Sequence, residues 1–273
     1  MNQRFTFERF AFDGIHLSCI RQINALPDEA KYPLYRTLFP QHILDRHCPA
    51  SSPLDTTIRC LPNTGFVEFD VRHPDNRRDP LLYFQMADTV NGQIEVLLLI
   101  VNDPFAPRFD VDQHWQGEIT KLDSRPRNIL AEIAAMDAGL APGQVRQGLH
   151  LSRELIPVME QFMIGLGKDR FFIEPLAYHA AIMFERYGFS YMTGQRKMEQ
   201  IHLDFQPGGP LYEKLDGSTP FRRPELARTV RGRSWAIHDG ILDTPWGSID
   251  GEIRMYKRIG LHAGVCTCSD AIY

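Results

Sequence analysis

What most constrains this chain is a run of three β-favouring segments set close together, Gly65 to Val71, Leu81 to Ala87 and Ile94 to Val101. Each is rich in apolar residues and bounded by charged or turn-forming ones, the pattern of strands that need sheet partners. Asn91-Gly92 separates the last two, and both residues tolerate the positive φ of a tight hairpin turn. The three segments are therefore expected to pair consecutively and antiparallel.

Helical signals flank this block. Pro27 and Asp28 open a helix expected to reach Leu38, with Tyr32, Leu34, Tyr35 and Leu38 on one face and Pro40 as its stop. Pro49 to Pro53 reads as loop, and the polar stretch Asn102 to Arg127, with His114 and Trp115, as a long loop over one end of the sheet. Asn128 to Leu140 is ambiguous between strand and helix on local evidence. From Gly148 to Leu166 the apolar residues Leu151, Leu155, Val158, Met159, Phe162 and Met163 recur at helical spacing, with Pro157 inside. A short strand, Phe171 to Leu176, and a helix, His179 to Tyr187, ended by Gly188, complete a βα crossover. Beyond Tyr191 a Gly/Pro patch, an arginine cluster (Arg222, Arg223, Arg228, Arg231, Arg233) and two expected strands follow. These are Ser234 to Leu242 and Ser248 to Ile259, around a turn at Pro245, Trp246 and Gly247. The expected class is α/β (α+β): a mixed, largely antiparallel central sheet flanked by helices. It divides into a domain over 1–203 and an extension over 204–273 packed on the same sheet.

Composition narrows the function classes. The 273 residues carry a formal net charge of -4, so no global positive field favours nucleic acid as a partner. Met1 to Ile20 lacks the apolar run of a secretory signal, and Val96 to Val101 is too short for a membrane span, so a cytoplasmic location is expected. Five scattered cysteines, Cys19, Cys48, Cys60, Cys266 and Cys268, do not read as a disulfide framework. There is no P-loop, dinucleotide fingerprint, His-Glu-x-x-His or nucleophile elbow.

Two fragments carry a resemblance. Ala180-Ala181-Ile182-Met183-Phe184-Glu185-Arg186-Tyr187-Gly188-Phe189 is a helix closed by Gly-Phe, and Gln144-Val145-Arg146-Gln147-Gly148-Leu149-His150 is a basic, small-residue turn before a helix. In this order, with a strand between them, they resemble the core of the acyl-CoA N-acyltransferase (GNAT) superfamily over about Leu81 to Phe189. The resemblance implies a GNAT-like fold, acetyl-CoA or a longer acyl-CoA as co-substrate, and an amine acceptor, small molecule or peptide, that attacks directly. It implies that Arg146, Gln147, Gly148, Leu149 and His150 form the turn whose backbone N–H groups approach the pyrophosphate. It also favours a strand for Asn128 to Leu140, with Ile133 to Leu140 as the splayed central strand that binds the thioester carbonyl.

Three positions depart from the family pattern. His150 stands where a second Gly or Ala is usual, Ala177 where an Asn is frequent, and Phe184 where a tyrosine acid is frequent. A phenylalanine has no proton to give a departing thiolate. Tyr178, His179 and Tyr187 are the nearby substitutes, and Glu132, Asp137 and Glu174 are the carboxylates placed to act as base. The departures also fit a binding or regulatory protein that keeps the fold without catalysis. A third reading, a metal-binding protein, uses His262, Cys266 and Cys268. The arginine cluster reads either as a solvated face or as contacts for phosphate or an acidic acceptor. A homodimer is compatible with the sequence.

Overall fold

The computed structural model describes residues 9–39, 54–113, 127–242 and 253–273. The segments around Pro49 to Pro53, His114 and Trp115, and the turn at Pro245 to Gly247 lie outside them. A mixed sheet of seven strands has the order β3-β4-β5-β6-β7-β9-β8, accompanied by a two-stranded β1–β2 ribbon. The strands are β1 (Ala11–Phe12), β2 (Ile15–His16), β3 (Asp55–Arg59), β4 (Phe66–Arg72), β5 (Leu82–Asp88), β6 (Ile94–Val101), β7 (Arg170–Ile173), β8 (Ser190–Thr193) and β9 (Arg254–Arg258). The described α-helices are α1 (Ile20–Asn24), α2 (Asp28–Arg36), α3 (Ile129–Asp137), α4 (Ser152–Gly165), α5 (Tyr178–Arg186), α6 (Gln195–Asp204), α7 (Pro210–Glu213) and α8 (Val230–His238). No helix among the described residues is long and apolar enough to cross a membrane.

The chain forms two compact units, each assembled from three stretches. The first unit is Met1–Phe105, Gly148–Ile173 and Tyr256–His262; the second is Ala106–Gln147, Glu174–Met255 and Ala263–Tyr273. The units therefore interleave along the chain, and the expected boundary at 203 and 204 falls within α6.

In the first unit β4, β5 and β6 pair consecutively and antiparallel, as expected from the sequence. Val67, Phe69 and Val71 of β4 register against Met86, Phe84 and Leu82 of β5, and all six are buried. Aromatic rings pack on this face: Phe69 lies 5.4 Å from Tyr35 of α2 and 5.6 Å from Phe84, and Phe162 of α4 lies 6.2 Å from Tyr35. On the opposite face Glu68 accepts hydrogen bonds from Tyr83, Gln85 and Arg59 across neighbouring strands. The β5–β6 hairpin turns at Asn91-Gly92 as expected, but only one of the two residues takes the positive φ. Thr89 and Gln93 close a three-residue loop in which Gly92 alone takes a positive φ, +69°.

The second unit is built around α8. Trp235 is fully buried, stacks on Phe221 at 5.2 Å and donates its indole N–H to the Leu140 carbonyl at 2.8 Å. Two sequence expectations are overturned here. Asn128 to Leu140 contains helix α3, not a strand: the Asn128 side chain caps it by accepting from Ala131 N–H, and three alanines favour the helical state. Ser234 to Leu242 belongs to the end of α8 and the turn after it, not to a strand. Val230 and every residue from Gly232 to Ile237 are buried, so this helix shows no polar face and hence no helical period.

Helix α1 has Cys19 at its N-cap position, with no capping side chain of its own. Asp88 supplies the cap from the end of β5, accepting the N–H groups of Ile20 and Arg21 at 2.8 Å each. Asp88→Ala is expected to cost about 1–2 kcal/mol in urea denaturation, and Asp88→Asn less, because the amide oxygen can still accept one of the two bonds.

Candidate functional site

The opening in the sheet of the first unit begins with a mismatch between the two neighbours of β6. On one side β6 pairs antiparallel with β5, but the register jumps from Met86↔Val96 to Gln85↔Leu98, leaving Leu97 as an extra, bulged residue. On the other side β6 runs parallel to β7 through Glu95↔Phe172 and Val96↔Ile173, and Ile173 is the last residue of β7. The bulge therefore falls where the parallel pairing ends. A bulge bends and twists its strand, and among the described residues no strand is registered against Leu97–Val101 on that side.

The segment leading into α4 crosses this open edge. A Cβ at Gly148 would lie 3.0 Å from the Val101 carbonyl oxygen, a spacing tighter than side chains ordinarily accept, so glycine permits the close approach. His150 follows with φ +55°, in the left-handed region, at the position where the family resemblance calls for a small residue. Helix α4 then starts with Leu151 as its N-cap residue and no side-chain cap. Among the described residues the N–H groups of Ser152 and Arg153 have no hydrogen-bond partner, and they carry the positive end of the helix dipole.

Of the five residues expected to form the cofactor turn, Gly148, Leu149 and His150 belong to the first unit, and Arg146 and Gln147 to the second. Arg146 is buried, and its guanidinium donates to the Ala106 carbonyl; Gln147 is exposed. The expected carbonyl-binding strand, Ile133 to Leu140, is the helix and turn described above. The amides of α3 are consumed by its own ladder, whereas β6, an interior strand, has no strand registered on one side from Leu97 to Val101 among the described residues.

The expected acid and base residues all lie in the second unit. Glu132 is buried, receives Arg127 through two guanidinium nitrogens, and lies 3.3 Å from His238 Nε2. Burial pushes its carboxyl upward, but the bonds from His238 and Arg127 outweigh this and hold it below the ordinary carboxylate range. Arg127 also reaches Asp239 at 3.0 Å, and Arg222 bonds the same carboxylate. Asp137, the last residue of α3, is exposed, and Glu174 follows β7 half-buried. Tyr178 is buried and donates to Cys268 Sγ at 3.4 Å; burial first, then Cys268, drives its pKa upward. His179 bonds Ser234 Oγ through Nδ1 at 2.9 Å, and burial, aided by Arg231 and His238, pushes its pKa down to about 4.

Several polar partners had no local sequence signal. Arg233, buried in α8, donates to Cys268 Sγ at 3.2 Å and to His202 Nδ1 at 2.9 Å, while His202 Nε2 reaches Asp270 at 3.1 Å. Glu185 is buried and accepts from Tyr191 and from both the hydroxyl and the main chain of Thr267. The C-terminal cysteine region is thus engaged with α5 and α8. Among the described residues no group of three or more His, Cys, Asp or Glu side chains is arranged to hold a metal ion, and His262, Cys266 and Cys268 are not brought together as one.

No protein-family model, no curated protein and no solved structure matches this chain.

The depressed Glu132 carboxyl implies a sign for the acid limb of stability. Its ionised form is favoured by folding, so its contribution is complete above the ordinary carboxylate pKa of 4.5 and is lost as pH falls through the lower folded value. Glu132→Gln is expected to lower stability at pH 7 by about 3 kcal/mol and to flatten the decline of the melting temperature below pH 4.5, measured by calorimetry against pH.

Proposed function

We propose that this protein is an acyl-CoA-dependent N-acyltransferase with a GNAT-like fold, passing an acyl group from acyl-CoA directly to an amine acceptor. The observation that carries this reading is the release of β6 from β7 at the Leu97 bulge, with Gly148 crossing beside Val101. An unpaired strand edge offers N–H and C=O groups to an extended ligand rich in amides, such as the pantetheine arm of coenzyme A. The same edge supplies N–H donors for the thioester oxygen as it becomes an oxyanion. The N-terminal turn of α4, whose Ser152 and Arg153 N–H groups have no partner among the described residues, suits the pyrophosphate. These features all belong to the first unit.

A second reading, a binding protein that retains the fold without turnover, is favoured by Phe184. The Phe189 N–H bonds the Phe184 carbonyl, the Gly188 N–H bonds the Glu185 carbonyl, and the two phenyl rings lie 5.0 Å apart. This is a Schellman closure with its hydrophobic contact, so the position where the family has an acid is committed here to ending a helix.

Isothermal titration of the whole protein with acetyl-CoA and a long-chain acyl-CoA tests the proposal. Saturable binding is expected for at least one, weakened about tenfold or more by Gly148→Glu, which adds bulk beside Val101 and negative charge near the pyrophosphate. Binding by neither ligand to protein with a cooperative melt would overturn both readings. Binding without consumption of acyl-CoA across a panel of amines would select the second.

A further inference from the structure

Ser234 occupies the middle of α8 and is 3% exposed. A serine inside a helix commonly turns its hydroxyl back onto the carbonyl one turn earlier. Ser234 does not: among the described residues its one hydrogen-bond partner is His179 Nδ1, at 2.9 Å. The imidazole comes from the first turn of α5, is half-buried, and makes no hydrogen bond through Nε2 among the described residues.

We propose that Ser234 and His179 are a nucleophile–base pair that accepts a short acyl group from an activated ester or thioester. A hydroxyl within hydrogen-bond reach of an imidazole is the minimal arrangement for covalent acyl transfer. With the ring proton on Nε2, the Nδ1 lone pair accepts the Ser234 hydroxyl hydrogen across the 2.9 Å contact and can take it. Oγ forms a bond to the acyl carbon while the hydroxyl proton passes to Nδ1. Collapse of the tetrahedral intermediate breaks the bond to the leaving oxygen or sulfur, and the imidazolium gives that proton to the leaving group. The products are the O-acyl serine and a free alcohol or thiol, with His179 restored.

Two features of α5 and its surroundings bring positive potential to the pair, which favours a developing oxyanion. Helix α5 has Ala177 as its N-cap residue, with no side-chain cap, and the N–H groups of Tyr178 and His179 have no partner among the described residues. Arg231, whose positive charge acts on His179, adds a field that favours negative charge there. The low exposure of Ser234 restricts the acyl group to short chains. The pair lies wholly within the second unit and is independent of the acyl-CoA reading.

Whole protein mixed with p-nitrophenyl acetate near pH 7.5 should release a burst of nitrophenolate and gain one acetyl group, mapped by mass spectrometry to the peptide carrying Ser234. Ser234→Ala should abolish that adduct, and His179→Gln should slow its formation about tenfold or more. Ser234→Cys, compared with the wild type by thermal melt, should still be acetylated at position 234, which keeps the test decisive if the alanine variant folds poorly. Acetylation confined to lysines, or acetylation at Ser234 that proceeds unchanged in His179→Gln, would overturn the pair.

Discussion

Strand β6 is where the constraints of the first unit meet. It pairs antiparallel with β5 along its length and parallel with β7 over two registered pairs only. The bulged Leu97 separates these regimes: among the described residues β6 has strand neighbours on both sides before it, and on one side after it. A strand that keeps one partner and releases the other exposes main-chain amides without fraying the sheet, because Phe69, Phe84 and Met86 hold the adjoining strands from the core face. The approach of Gly148 to the Val101 carbonyl, and the start of α4 just beyond it, depend on that release.

The second unit solves a different problem, the burial of charge. Glu132, Glu185 and Arg233 are each at most 4% exposed, and each is met by several polar partners. Removing a carboxylate from water costs several kcal/mol, which only good hydrogen bonds and opposite charges offset. Arg127 and His238 do this for Glu132, Tyr191 and Thr267 for Glu185, and the Ala227 carbonyl and His202 for Arg233. This changes how the arginine cluster reads. Arg233 is enclosed, Arg222 is tied to Asp239, and Arg231 lies over the Tyr273 ring at 5.3 Å, so these three are not a simple solvated face.

The family likeness and its departures acquire separate physical meanings. Gly188 and Phe189 end α5 by a capping motif that many folds share, which is why Gly-Phe after a helix is weak evidence of function on its own. His150 shows that a non-glycine residue can hold a left-handed conformation in the turn before α4, at a cost that the surrounding chain must meet. The one-sided edge of β6, on which the proposed acyl-CoA reading rests, depends on a register shift between strands rather than on a residue motif.

Strands β4, β5 and β6 were legible as apolar segments bounded by charged and turn-forming residues, and α2 and α4 because one buried face imposes a period near 3.6. Gly188 was legible as a helix stop, since few residues accept its φ of +81°. By itself, then, the sequence determined the local elements whose environments are asymmetric. Tertiary structure alone decided α8, buried nearly all round and so without a period, and α3, where helix and strand were locally balanced until the Asn128 cap formed. It alone decided which polar residues meet: Ser234 and His179 are 55 positions apart, and Arg127 and Asp239 are 112 apart. The bulge at Leu97 is of the same kind, because an extra residue is defined only against a partner strand. Periodicity records the average surroundings of a residue, whereas a pair or a register is a property of two segments at once.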